Sequence, residues 1–313
     1  MPASALLQQL SEERATLADT LVPRIVTVLA GRRRSLSAIR WRPPYLITAA
    51  EPLGGVERVA WHSPYGPEAE ADAQRAEVVA TDLTTDVAVI RTSTDTNAQV
   101  EAPPAPALRE GLRLAETVAI VGCDPRGTLL RWSTVSVAGG AWRSRRGGRI
   151  AQRLEFDGAL DARFEGALVA DAAGRLAAMQ VTGPFGRSLG IPAETVERVL
   201  RAVEQHGYLP RPYLGLRLQT LWLDAAAVAH LGRRSARIPV ITGVEAHSPA
   251  AHAGVELGDL IETIDGQEVD GVDAILRALG DATPGAELVL RLRRGGKAET
   301  RTLKVIERPR TAC

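Results

Sequence analysis

Between Ile25 and Val181 the chain is cut into short runs rich in Val, Ile, Leu and Thr, each bounded by turn-forming residues. Ile25–Leu29, Ser37–Trp41, Tyr45–Thr48, Val56–His62, Arg75–Val79 and Val87–Thr92 come first. Thr117–Val121, Trp132–Ala138, Arg153–Phe156, Leu168–Val169 and Leu176–Val181 follow. Many short strands at even spacing predict an all-β barrel or sandwich. The Pro-rich stretch Ala102–Ala107 (APPAPA) falls between the two sets. It reads as an extended crossover between two barrels, because proline-rich chain favours an open, fully solvated conformation.

Helical patterns flank this region. Leu6, Leu7, Leu10, Leu17 and Leu21 fall at roughly helical spacing and predict an amphipathic helix before residue 22. Pro192–Val203 puts proline near a helix start and Val196, Val199, Leu200 and Val203 on one face. A turn, Gln205–Pro212, follows and is read as a linker. Beyond it, strands alternate with helical patterns at Asp224–Leu231 and Val272–Leu279, a mixture of the size of a small binding module. The expected division is 1–22 helix, 23–204 first domain, 205–212 linker and 213–308 second domain.

Composition narrows the function classes. The 313 residues are 45% hydrophobic with a net charge of +1, so the chain can build two packed cores. A nucleic-acid binder would carry a basic excess. The basic run Arg143–Arg149 is short and Gly-rich and reads as a solvated loop. No stretch is long enough to span a membrane. The start of the chain has no positive region followed by an apolar one, so it does not read as a secretory signal. The expectation is a cytoplasmic protein, or a periplasmic one if a leader was removed. Cys123 and the terminal Cys313 are a poor disulfide pair. No cofactor and no metal site is expected.

Four segments of the second domain come in a specific order: Arg211–Leu216 (RPYLGL), Val244–Ile264 (VEAHSPAAHAGVELGDLIETI), Asp265–Val269 (DGQEV) and Pro284–Lys297 (PGAELVLRLRRGGK). In the first domain stand Asp82–Ile90 (DLTTDVAVI), Ala119–Thr128 (AIVGCDPRGT) and Ser188–Leu200 (SLGIPAETVERVL). With these motifs the chain resembles the HtrA (Deg) family from about Val22 to Glu307. The resemblance implies a mainly β fold: a trypsin-like double β-barrel followed by a PDZ domain.

The same resemblance raises a conflict over chemistry. A serine protease needs a nucleophilic hydroxyl, a base, a group orienting that base and backbone N–H donors for the oxyanion. The family's Asp falls on Asp86. Its His position, in Thr48–Leu53 (TAAEPL), holds Glu51, and His62 lies too far downstream to replace it. Its Ser position, in Ala162–Leu168 (ARFEGAL), holds Phe164, with Arg163, Glu165 and Gly166 in the oxyanion turn. Arg145–Val181 contains no Ser, Thr or Cys. The expectation is therefore a catalytically inactive, non-enzymatic relative that binds or scaffolds other proteins. The alternative is an active HtrA-type serine endopeptidase with PDZ-regulated activity. Asp86 reads as a buried carboxylate held by backbone N–H groups. Glu51, Asp86 and Glu165 could also gather as a carboxylate cluster, sharing protons, holding a cation or pairing with Arg163.

For the second domain the expected mechanism is strand addition. A partner's C-terminal or extended peptide adds to a sheet edge, and its carboxylate meets the Tyr213–Leu216 loop. Leu214 and Leu216 line the pocket for the last side chain, and Ile275 and Leu279 form the other wall. Gly215 stands where a close approach tolerates no Cβ. The partner is a protein, and the chain is a candidate subunit of a larger complex.

Overall fold

A computed structural model describes residues 3–31, 34–64, 73–93, 104–158, 161–183, 186–282 and 284–308. Cys313 and the first two residues of the Ala102–Ala107 crossover lie outside them. The chain divides into two compact units, 1–142 with 149–209, and 143–148 with 210–313.

The first unit opens with α1 (Ala3–Leu21) and then β1 (Ile25–Ala30), β2 (Arg34–Arg42), β3 (Tyr45–Thr48), β4 (Arg58–His62), β5 (Gln74–Asp82) and β6 (Val87–Thr92). These six close into a barrel in the order β1-β2-β3-β6-β5-β4. Next come β7 (Thr117–Asp124) and β8 (Gly127–Ala138), then β9 (Trp142–Arg143), whose last residue belongs to the second unit, then β10 (Arg149–Ile150), β11 (Leu154–Phe156), β12 (Leu168–Asp171), β13 (Leu176–Thr182) and β14 (Ser188–Pro192). The second barrel runs β11-β14-β13-β12-β7-β8. Alternation along each strand sends Val26, Val28, Ala38, Leu46, Ala88 and Ile90 into the first barrel's core. Leu112, Ile120, Val135, Leu154, Val169 and Ala178 fill one core of the second.

Of the α1 leucines, Leu21 is buried and Leu17 packs against the core, while Leu6, Leu7 and Leu10 are exposed. Only the last turns of the helix rest on the barrel, so the leucine stripe is longer than the surface it covers. The helix α2 (Ala193–His206) buries Val196, Val199, Leu200 and Val203 and ends at Gly207, in left-handed backbone at φ 77°. It is tied down by charge. The Glu197 carboxylate accepts from Trp41 Nε1 and, at 2.6 Å, from Arg42, whose guanidinium also grips Glu204 with two bonds of 2.8 Å. Paired planar contacts of this kind fix orientation as well as distance.

The second unit holds β15 (Pro212–Tyr213), β16 (Leu216–Trp222), α3 (Ala225–His230), β17 (Arg237–Val244), α4 (Pro249–His252), β18 (Leu260–Ile264), β19 (Gln267–Glu268), α5 (Val272–Asp281), β20 (Glu287–Arg294), β21 (Lys297–Lys304) and β22 (Ile306–Glu307). The sheet order is β16-β17-β18-β20-β21, with β19 on β18 and β15 on β22. The strand β16 is therefore an edge. Its core holds Leu214, Ile241, Ile261, Ile264, Leu290, Leu292 and Leu303. The turn Asp265–Gly266 needs left-handed backbone at both residues, φ 48° and 76°, which Asp and Gly tolerate best.

Candidate functional site

The cleft of the first unit is built around Ser37, wholly buried on β2. Its N–H donates to the Glu165 carbonyl at 2.9 Å, and its hydroxyl donates to the Arg163 carbonyl at 3.1 Å. That hydroxyl accepts from Cys123 N–H at 2.9 Å, and the Ser37 carbonyl accepts from the Thr48 hydroxyl at 2.7 Å. One serine thus sews the first barrel to the 162–166 turn of the second. Gly166 sits inside this seam at φ 78°. A Cβ there would lie 2.1 Å from the Ser37 carbonyl oxygen and 2.5 Å from Thr48 Oγ1.

Asp86 heads β6 in left-handed backbone, φ 59°. Its Oδ1 accepts from the N–H groups of Ala50 and Glu51 at 2.9 and 2.7 Å, capping the 3-10 turn Glu51–Leu53. Burial pushes its carboxyl up to about 7, despite those donors, and the negative charges of Glu165 and Glu51 add to the rise. Glu165 is also buried. Its carboxylate accepts from the N–H of Thr182 at 3.0 Å and from the Thr182 hydroxyl. Burial raises this carboxyl too, with Glu51 contributing. Glu51, Asp86 and Glu165 are close enough to feel one another's charge, and burial makes Asp86 and Glu165 harder to ionise. A carboxyl that titrates near neutrality can give or take a proton in that range.

The basic partner considered for these carboxylates is elsewhere. Arg163 pairs with Asp161 at 2.6 Å and not with any of the three carboxylates, because Asp161 caps the same short turn two residues away. Among the described residues no three His, Cys, Asp or Glu are grouped as a metal ion would require. His62 lies half-buried on β4, opposite Thr27 of β1.

Phe164 closes the 3-10 turn Ala162–Phe164 with its ring 6% exposed, packed in the second barrel's core, and with the Arg131 guanidinium 5.1 Å from its centroid. The N–H groups of Phe164 and Glu165 donate back to Asp161 and Ala162, at 2.9 and 3.2 Å. Those donors are consumed inside the turn and are not aimed at a reacting oxygen, the geometry an oxyanion pocket requires.

In the second unit the Tyr213–Leu216 loop has a defined polarity. The Leu214 carbonyl accepts from Ala250 N–H at 3.0 Å, and the Gly215 carbonyl from Glu245 N–H at 2.9 Å. In a trans peptide the following N–H points opposite to the carbonyl. The N–H groups of Gly215 and Leu216 are therefore directed away from that inner wall, towards the mouth at the free edge of β16. Tyr213 braces the loop by donating its hydroxyl to Glu245 at 2.7 Å. Gly215 has φ 80°, and a Cβ there would fall 2.1 Å from Ser248 Cβ, at the N-cap of α4. A valine at 215 would displace that cap, so the substitution reports on folding before it reports on binding.

Leu214 and Ile275 are 3% and 2% exposed. Both belong to the domain core, and Ile275 does not form the open wall expected of it, because it points down the buried stripe of α5. The half-buried surface belongs to Leu216 and Leu218 on β16 and to Ala274, Ala278 and Leu279 on α5. Sequence reasoning passed over Ala274 and Ala278. Their i, i+4 spacing on an otherwise bulky helix was the available signal. Thr220 joins strand and helix by accepting from Val272 N–H at 3.1 Å.

These two units define a trypsin-like double barrel and a PDZ domain. A family model described as a trypsin-like peptidase domain matches residues 36–179, and one described as a PDZ domain matches residues 240–294. The chain has the fold of HtrA-type proteases. The HtrA-type protease AlgW with a decapeptide superposes with a TM-score of 0.67 at 21% identity, covering 95% of this chain and 99% of that one. A serine endoprotease from Yersinia pestis gives 0.65 at 18% identity, covering 94% and 98%. Among curated proteins, a probable periplasmic serine endoprotease DegP-like of Bartonella henselae is 27% identical over 127 residues, 41% of this chain. One of Chlamydia muridarum is 32% identical over 115 residues, 37% of this chain. The matched stretch spans 25% and 23% of those relatives' lengths.

The comparisons correct the expectation that the chain is not an enzyme. The relatives are named serine endoproteases, and the matched domain family is that of trypsin-like peptidases. A label of inactive scaffold finds no support among them. They are also named periplasmic, so the cytoplasmic expectation is unsupported. Among the described residues no helix is long and apolar enough to cross a membrane.

Proposed function

We propose that the chain is an HtrA-type protein acting on polypeptides, in which the PDZ domain captures a partner through its C-terminal segment. The observation that carries this reading is the polarity of the Tyr213–Leu216 loop, with the Leu214 and Gly215 carbonyls held inward and the following N–H groups directed outward. A carboxylate at the mouth would meet those donors, and the peptide behind it would extend the sheet along β16. Binding through main-chain bonds and a small apolar groove is of modest strength, on the order of micromolar, about −8 kcal/mol. Peptides with a free C-terminus and their amidated forms, titrated by calorimetry, test it. The compartment we assign is the periplasm, on the names of the relatives.

Endopeptidase activity is the second reading, favoured by those same names. In this chain it cannot pass through an acyl group on residue 164, a phenylalanine. Among the cleft's carboxyls, Asp86 is one that exchanges a proton near neutrality. Cleavage of unfolded casein is expected to survive Phe164→Ala and to fall in Asp86→Asn. Equal rates in both variants and the parent contradict a role for the carboxyl, and no cleavage by the parent contradicts the reading.

A further inference from the structure

The strand β16 continues past the point where α5 covers it. Its pairing with β17 skips Thr242, so the extra residue lies on β17 and β16 keeps a regular alternation. Leu216, Leu218, Thr220 and Trp222 therefore share one face, and Arg217, Gln219 and Leu221 the other. Exposure agrees: Leu216, Leu218 and Thr220 are half-buried, whereas Arg217, Gln219 and Leu221 are exposed. The first face is the groove face, since Leu216 and Leu218 pack on the domain core and Thr220 caps α5. Trp222 is the next residue on that face and stands beyond the helix start, with its indole 76% exposed.

The surroundings of this indole restrict what can sit on it. Arg237, its cross-strand neighbour, places a guanidinium 5.9 Å from the ring centroid. That guanidinium is held at the N-terminus of α5, where it pairs with Asp273 at 3.4 Å and lies 2.8 Å from where a Cβ on Gly271 would be. Its charge already has a carboxylate, so an acidic side chain would compete with Asp273. With the guanidinium over one face, the 76% exposed indole keeps a broad apolar surface, which suits another aromatic ring.

We propose that Trp222 is an outlying subsite of the groove that selects an aromatic side chain upstream in the captured peptide. The inference rests on the C-terminal capture reading above. A peptide whose carboxylate meets the 214–216 loop and which runs antiparallel along β16 reaches Trp222 about six residues before its end, some 20 Å away at the rise of a strand. Residues directly opposite in an antiparallel pair project to the same face, so the side chain at that position lands against the indole.

Calorimetry on the full chain tests this with a pentapeptide and with decapeptides, all ending in the same apolar residue with a free carboxylate. The decapeptides have a Gly/Ser upstream half carrying either Phe or Ala, scanned over the sixth to ninth residues from the end. The expected result is that Phe improves affinity roughly three- to tenfold over Ala at one position of the scan. The ratio returns to unity in Trp222→Ala and persists in Leu257→Ala, an exposed apolar residue outside the groove. Equal affinity for Phe and Ala peptides throughout, or a Phe advantage that survives Trp222→Ala, overturns the subsite while leaving C-terminal capture intact. If the pentapeptide and the decapeptides all fail to bind, capture itself is wrong and the subsite falls with it.

Discussion

Raising the pH from 5 to 8 is expected to cost the first unit roughly 2–3 kcal/mol of stability through Asp86 alone. The sign follows from its folded value of about 7 against 3.8 for the free group. Between those values the folded chain holds a proton that the unfolded chain has lost. Stability therefore falls as pH rises through this window and levels off above it, for a full span of about 4 kcal/mol. Glu165, raised in the same direction, deepens the trend. This is the reverse of an ordinary salt-bridged carboxylate, whose contribution is fully present at neutral pH and is lost in acid. Urea unfolding at a series of pH values, followed by the tryptophans, measures it. In Asp86→Asn the slope should largely vanish and stability at pH 8 should rise, because the amide oxygen still accepts from Ala50 and Glu51 and Asn tolerates left-handed backbone. A parent protein equally stable at pH 5 and 8 would contradict the charge arrangement of the cleft.

Gly166→Ala is expected to destabilise the same unit by roughly 3–5 kcal/mol. The new methyl would meet the Ser37 carbonyl and the Thr48 hydroxyl far inside contact distance, and neither can retreat without breaking the seam between the barrels. Gly54→Ala separates sterics from backbone strain. That glycine also has positive φ, 59°, but nothing lies within 4 Å of its would-be Cβ, so the cost should be only about 1 kcal/mol. Equal losses in the two variants would mean that the seam is looser than the hydrogen bonds indicate.

The barrels were legible because β-branched runs of four to nine residues between turn signals leave a chain few other options. Tyr45–Thr48 and Val87–Thr92 were read to the residue. By contrast, β14 (SLGIP) carries Gly and Pro and has no pattern of its own, so only the family resemblance pointed to it. The PDZ loop was legible for a local reason, since Gly215 and the Asp265–Gly266 turn announce backbone that other residues avoid. What could not be read is long-range. Ser37 is one serine in a strand, and nothing near it in sequence reveals that residues 123, 163 and 165 converge on it. Asp86 was rightly expected to be held by N–H groups. Its high proton affinity comes first from burial, with the charge of Glu165 adding to it, and both arise only through the packing of two barrels. Ile275 failed as a groove residue because a three-residue step round α5 decides between core and wall, and periodicity alone does not resolve that step.

The most direct test of the account is the free carboxylate. A short peptide with an apolar last residue is titrated into the full chain beside the same peptide amidated at its C-terminus. The account predicts micromolar binding for the acid and a loss of at least tenfold for the amide, which turns an acceptor with two oxygens and a charge into a group that also presents donors to the N–H groups of Gly215 and Leu216. Equal binding of the two forms, or none by either, would contradict capture at this loop.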